Sequence, residues 1–276
     1  MKKEAAADIR RLSADIRSDV IEMIYACGAG NPGSALSSVE IMLVLYEKIL
    51  GIDSSNFATS KRNRFVLSKG HACPVLYSYF VRKGYIKDQD ILGFRRKGSI
   101  FQTHPDIRFT PGIDFTTGSL GTGLSVAQGM AMAEKYHGSG HKVYVLCGDG
   151  ELQEGQNWEA VISAAHFKLD NLFLIVDHNG LQQDNTVENT LRIAPLTPKF
   201  ESFGWNAVEI DGHDTALLED TFREIDEKDG RPKVIIARTV KGKGVSFMEG
   251  SVRWHLGAGL TGEQKEQALK DIRDGI

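Results

Sequence analysis

Ile9, Leu12, Ile16, Val20, Met23 and Ile24 recur at three- and four-residue intervals, with Arg and Asp between them. That spacing lines one face of a helix with apolar side chains. The pattern stops at CGAGNPGS (27–34), a glycine–proline cluster that breaks a helix. A second helix is predicted from Ser37 or Ser38 as N-cap through Leu50. RFVL (64–67) reads as a short strand running into a loop with a histidine. Residues 112–129 are glycine-rich, and AMAEKYH continues from them as a helix. KVYVLCG (142–148) has the unbroken apolar run of a buried strand, GDGELQEG (148–155) is a turn, and QNWEAVISAAHFK (156–168) is a helix. NLFLIVD (171–177) is a second apolar strand. In one sheet such a strand–helix–strand unit implies parallel strands and a right-handed crossover. Further strands are predicted at 203–211 and 233–240, with a helix near 215–227 and a loop plus an exposed helix over 250–276. The alternation predicts an α/β fold with a doubly wound, mostly parallel sheet.

In open parallel sheets, ligands bind beyond the carboxyl ends of the strands. Two polar turns stand at such ends: Gly148-Asp149-Gly150, and Asp177-His178-Asn179 thirty residues on. If the two strands are neighbours, Asp149 and Asn179 lie side by side. A carboxylate, an amide oxygen and a nearby backbone carbonyl suit a hard cation such as Mg2+, which completes its shell with water and ligand phosphates. Glycines on both sides of Asp149 let the backbone approach a phosphate, and the following helix directs its positive end there. The spacing therefore points to a site for Mg2+ and a diphosphate. GDG alone is a common turn; two such exits flanking one unit are more specific.

Composition narrows the class. Of the 276 residues, 41% are apolar and the net charge is −3, which argues for a globular chain and against a nucleic-acid surface. No apolar stretch approaches the roughly 20 residues of a membrane helix, so no membrane partner is expected. The amino-terminal stretch has charges every few residues and no apolar core, unlike a secretory signal. Cys27, Cys73 and Cys147 are widely spaced and odd in number, which suits a reduced, cytoplasmic location.

GDGELQEG followed by DHNGLQQD resembles the thiamine diphosphate motif of transketolases, which begins GDG and closes on Asn. RNRFVLSKGHA, FRRKGSI…THPD, TTGSLGTGLSVAQGMAMA, FGWNAVEIDGHD and ARTVKGKG also resemble transketolase segments, in order, over about 15–255. The resemblance implies a thiamine diphosphate-binding fold and a single diphosphate-binding domain over 1–276. It implies that the pyrimidine-binding and C-terminal domains, with the activating glutamate, belong to a partner chain in a split enzyme, as an α2β2 assembly. It implies thiamine diphosphate with Mg2+ (or Ca2+ or Mn2+) as cofactors, and transfer of a two-carbon ketol group between sugar phosphates.

Residue by residue, the resemblance implies the following roles. Asp149, Asn179 and the Leu181 carbonyl hold the metal. Gly148, Gly150 and Glu151 lie at the diphosphate, and Gly118, Ser119 and Leu120 lie against the ring end. His71 and His104 face substrate, His71 and His255 lie near the cofactor, and Glu154 and Glu159 meet across a dimer interface. Imidazoles suit proton exchange near neutral pH. Asn31 stands where the family has a substrate-facing histidine; it hydrogen-bonds but does not titrate. That departure keeps open a deoxyxylulose phosphate synthase-like split enzyme; a cofactor-binding regulatory subunit without turnover is a third reading, against which the intact Asp149/Asn179 pair argues.

Other features are expected to be inert. His137 and His141 read as solvated and His166 as helix surface or packing; Lys241 and Lys243 form the one local basic cluster, open to a phosphate contact but read first as a solvated loop. GAGNPG (28–33) matches G-x-G-x-x-G but follows a helix and contains proline, so it is no dinucleotide fingerprint.

Overall fold

The computed structural model describes residues 2–87 and 89–275. In chain order the principal elements are α1 (Lys2–Cys27), α2 (Pro32–Leu36), α3 (Val39–Val44), β1 (Arg64–Leu67) and α4 (Pro74–Arg82). Then come α5 (Thr122–His137), β2 (Val143–Gly148), α6 (Gly155–His166), β3 (Leu172–His178) and α7 (Leu196–Ser202). The chain finishes with β4 (Asn206–Asp211), α8 (Thr215–Glu224), β5 (Lys233–Arg238) and α9 (Gly262–Asp274).

The five strands form one parallel sheet in the order β1-β2-β3-β5-β4. Alternation along each strand divides the side chains between two cores. Phe65, Leu67, Tyr144, Leu146, Phe173 and Ile175 face the layer of α1, α3, α4, α8 and α9. Val66, Val145, Cys147, Leu174 and Val176 face α5, α6 and α7. The chain moves outward from β1 to β3, skips to the edge at β4 and returns to β5. The return helix α8 therefore packs on the opposite face from α6, as a constant crossover hand requires. Helices cover both faces, which is the doubly wound arrangement that the pattern predicts.

Two local expectations are corrected and one is refined. The helix predicted over 37–50 forms with Ser38 at its N-cap position: α3 begins at Val39 and runs on without interruption as a π turn over Leu45–Ile49. Neither Ser37 nor Ser38 caps it with its side chain. Ser38 Oγ bonds back to the carbonyls of Ser34 and Ala35, while Ser37 Oγ donates to Asp177 at 2.6 Å. Helix α5 starts inside the glycine-rich run, directly after Gly121, whose φ of 87° turns the chain into it. Helix α9 is exposed on one face only; Ala268 and Ile272 pack into the α1 core, and its Thr261–Gln264 capping box fixes its start.

Candidate functional site

The ends of β2 and β3 are adjacent and in register, with Gly148 opposite Asp177. Asp149 therefore leaves the sheet beside residues 178–180. Its carboxylate is 1% exposed. Oδ1 accepts the Gly150 amide at 2.8 Å and Oδ2 accepts the Gly180 amide at 2.6 Å. Burial and the neighbouring Asp177 charge push its carboxyl up to about 6. A desolvated carboxylate beside a like charge is a costly arrangement that a bound cation relieves. Asn179 lies next to it, and its Oδ1 accepts the Leu181 amide at 3.2 Å. The donor set is one carboxylate, one amide and one carbonyl, all oxygen, which fits Mg2+. Among the described residues no three His, Cys, Asp or Glu converge as a metal centre of another kind. A Cβ at Gly150 would stand 2.9 Å from Gln182 Cβ, so only glycine leaves room at that turn.

Beneath these donors is a buried ionic layer. Lys69 pairs with Asp177, which also accepts Ser37 Oγ and Thr239 Oγ1. Lys69 Nζ donates to the Ser34 carbonyl at 2.9 Å. Burial alone would raise Asp177; the Lys69 charge and these hydrogen bonds overcome it and hold the carboxyl low. Glu151, 3% exposed, joins three segments. It accepts Ser68 Oγ from the end of β1, the Gly121 amide at 2.9 Å and the Gly148 amide at 3.0 Å. Its oxygens are thus taken up by protein, and it ties the 118–121 loop to the GDG turn.

A cavity of about 190 Å3 opens above this layer, lined by Asp149, Asn179, Leu181, Lys241, His71 and His255 among others. The rings of His71 and His255 lie 5.6 Å apart. Burial lowers His71 well below the ordinary imidazole range, with the Lys69 charge adding to it. Burial and the Lys241 charge bring His255 down to about 4. Both rings are therefore neutral at neutral pH; His255 Nδ1 accepts from the Lys241 ammonium, which leaves its Nε2–H as a donor.

Of the other predicted residues, Leu120, Gly148, Gly150, Glu151 and Glu154 also line the cavity. His104 stands beside the glycine loop: a Cβ on Gly118 would lie 3.2 Å from its ring. Burial and the Arg95 charge lower His104 too. Gly118 and Ser119 lead into Leu120 without lining the cavity themselves, and Glu159 sits exposed on α6. Glu154 is exposed at the start of α6, so within one chain the two glutamates form no buried pair. Asn31 donates its amide to the His255 carbonyl at 2.6 Å; it steadies the segment that carries His255.

Two expectations for basic residues change. Lys241 is no solvated loop residue: it is 1% exposed, and its Nζ donates to the Leu181 carbonyl at 3.0 Å and lies 2.8 Å from His255 Nδ1. Burial and the Lys69 charge lower its ammonium to about 8. Lys243 does face solvent, near Glu249. His137 and His166 are exposed as expected, whereas His141 rests partly buried against Glu134 at 3.2 Å. The sequence pattern assigned no role to Lys69 or to the Asp177 carboxylate, and placed Lys241 on the surface. The available signal was position: each flanks a motif already singled out, in SKGH, DHN and VKGKG.

Comparison with known proteins agrees with this geometry. Residues 2–273 match the family described as "Transketolase, thiamine diphosphate binding domain". The chain is 40% identical over 262 residues to an apulose-4-phosphate transketolase subunit of Phocaeicola vulgatus, covering 94% of this chain and 92% of that one. It is 37% identical to a 6-deoxy-6-sulfo-D-fructose transketolase subunit of a Clostridium strain, covering 98% of each. Human transketolase is 37% identical over 264 residues, but the match spans only 41% of its length. Among solved structures, Campylobacter jejuni transketolase superposes with a TM-score of 0.89 at 32% identity, over 96% of this chain and 42% of that one.

Proposed function

This chain belongs to the transketolase thiamine diphosphate-binding domain family, and from that premise we propose that it is the cofactor-holding subunit of a two-chain transketolase. One observation carries the reading. Relatives that match over nine tenths or more of both chains are named transketolase subunits, whereas longer transketolases match over about two fifths of their length. We read 1–276 as one diphosphate-binding domain. The pyrimidine-binding and C-terminal domains, with the activating glutamate, then belong to a partner chain, two copies of each subunit forming the assembly. The relatives' names mention a sugar phosphate and a sulfonated sugar, which supports an anionic ketose or aldose as substrate.

Asp149, Asn179 and the Leu181 carbonyl would hold Mg2+; Gly148, Gly150 and Lys241 would meet the diphosphate. For the metal to take the Leu181 carbonyl, Lys241 must release it and turn to a phosphate oxygen. Bound thiamine diphosphate supplies carbanion stabilisation for breaking and making a carbon–carbon bond beside a carbonyl. The chain's own part is to orient and to move protons. His71 and His104, as neutral imidazoles, donate to or accept from substrate oxygens as their charge changes. His255 borders the diphosphate end, held by Asn31 below and Lys241 beside it. Leu120 closes the cavity on the ring side, with Gly118 and Ser119 shaping its loop. Glu154 and Glu159, exposed in a single chain, are placed to meet a second copy. Free Cys27, Cys73 and Cys147 support a cytoplasmic location, and no described helix is long and apolar enough to cross a membrane.

Ketol transfer from xylulose 5-phosphate to ribose 5-phosphate, with Mg2+ and thiamine diphosphate, tests the reading. The chain alone, its partner alone and the mixture are compared. Activity only in the mixture is expected. A mixture that binds cofactor yet transfers nothing from this or other anionic ketoses would overturn the transketolase assignment.

A further inference from the structure

Lys241 enters the cavity from a loop, 239–244, that lies outside the sheet and turns through two left-handed glycines, Gly242 and Gly244. Two backbone atoms flanking Lys241 are gripped from elsewhere in the molecule. The Val240 amide donates to His213 Nε2 at 2.9 Å. The Lys243 carbonyl accepts from Arg17 Nε at 3.0 Å. Because His213 Nε2 accepts from an amide, its proton resides on Nδ1, which faces Glu40 Oε2 at 2.9 Å. Arg17 closes the arrangement with Nη2 at 2.8 Å from the same Glu40 oxygen and Nη1 at 2.7 Å from the other. Ser13 Oγ adds a bond to Glu40 at 2.9 Å.

Arg17, Glu40 and His213 come from α1, α3 and the loop after β4; Glu40 is 23 residues from Arg17 and 173 from His213 in sequence. Glu40 is buried, yet its carboxyl is held well below the usual range, because Arg17 and His213 outweigh its desolvation. A charge of this kind is a demanding way to hold helices together; apolar residues of similar volume do so as well or better. What it does that apolar residues cannot is grip an amide and a carbonyl of one loop in a fixed direction. The outer end of the cluster borders a separate cleft of about 550 Å3, away from the cavity.

We infer that Arg17, Glu40 and His213 form a positioning triad that fixes the 240–243 backbone and so aims Lys241 at the phosphate end of the cofactor. The grip on the loop is independent of the function proposed above; the phosphate as Lys241's target rests on that reading. No member of the triad is among the residues that line the cavity; all three act through Lys241.

The test uses both subunits together and reads two quantities. The first is the rate at which an acetylating reagent modifies Lys241 in the cofactor-free protein, by peptide mass spectrometry, with exposed Lys270 as internal reference. His213→Leu removes both ring bonds and is expected to raise the Lys241 rate by about fivefold or more. Glu40→Gln is expected to raise it in the same direction. His213→Gln, whose amide offers one donor and one acceptor, is expected to return it toward the wild-type rate, with Lys270 unchanged throughout. The second is the thiamine diphosphate dissociation constant by calorimetry with Mg2+. His213→Leu and Lys241→Ala should each weaken binding, and the double variant should be no weaker than Lys241→Ala alone. Wild-type Lys241 labelling in both His213→Leu and Glu40→Gln would overturn the triad, and additive losses of affinity would overturn its action through Lys241. If the wild-type pair binds no cofactor, the diphosphate reading fails while the labelling still decides the triad. If His213→Leu does not fold, Glu40→Gln and His213→Gln give the same comparison.

Discussion

From Phe173 to Val176, β3 buries an apolar side chain at every position; at the next residue, Asp177 is just as buried and carries a charge. The middle of the sheet is apolar on both faces, with Leu146, Ile175 and Ile236 at 0% exposure. Its carboxyl edge packs Asp149, Glu151, Asp177, Lys69 and Lys241 into the same dry interior. The middle is held by volume, and a substitution there leaves a cavity. The edge is held by pairing, and a substitution there leaves an unmatched charge. The difference teaches where stability and function separate. Lys69 and Asp177 satisfy each other, whereas Asp149, raised by burial and by its like-charged neighbour, has no cation bonded to it among the described residues.

The sharpest way to break that comparison is Asp149→Asn. Ketol transfer by the two-chain enzyme should fall by roughly a thousandfold, since metal stabilisation amounts to several kcal/mol. The thermal midpoint of the cofactor-free chain should shift little, because relief of a buried like-charge contact offsets the loss of one acceptor for the Gly150 and Gly180 amides. Scanning calorimetry beside the activity assay reads both. Lys69→Met takes one partner from a buried pair and should cost about 3–5 kcal/mol in denaturant unfolding. It should also weaken cofactor binding, since Asp177 lies under the site. Ile175→Ala should cost about 2–5 kcal/mol through the cavity it leaves, yet the cofactor affinity of the folded fraction should be unchanged.

Acid sharpens the contrast further. Glu40 has its carboxyl depressed below 4.5 in the folded chain. A depressed carboxylate contributes stability that is present above 4.5 and is lost as the pH falls below it. Unfolding measured from about pH 5 to pH 3 should therefore lose stability more steeply in wild type than in Glu40→Gln. The smallest effect belongs to Tyr136, 87% exposed at the end of α5. Tyr136→Ser should shift stability by no more than about 0.5 kcal/mol and leave activity unaltered.

How much of this was legible in the sequence follows the same division. The middle of the sheet announces itself, because an apolar run bounded by turns is a local pattern: the strand at 64–67 matches to the residue, and those at 142–148 and 171–177 to within one. Asp149 and Asn179 were legible because strand exits mark ligand sites, and the register of β2 on β3 brings them together. The supporting charges were not. Lys241 in a KGKG run has the local composition of a solvated loop, and only packing against Gly33 and the 254–255 segment buries it. The environment of the serines before α3 was equally hidden: Ser38 stands at the N-cap but turns its hydroxyl back to the Ser34 and Ala35 carbonyls, while Ser37 donates to Asp177, 140 residues away. Long-range pairing leaves no periodic trace in a sequence.

As proposed above, Asp149 and its neighbours give this chain the metal–diphosphate end of the site. Calorimetric titration of thiamine diphosphate into the two subunits, with and without Mg2+, tests it most directly, in wild type and in Asp149→Asn. Mg2+-dependent binding in wild type and its loss in the variant are expected, with both proteins equally folded. Wild-type binding that ignores Mg2+, or a variant that binds as tightly as wild type, would contradict it.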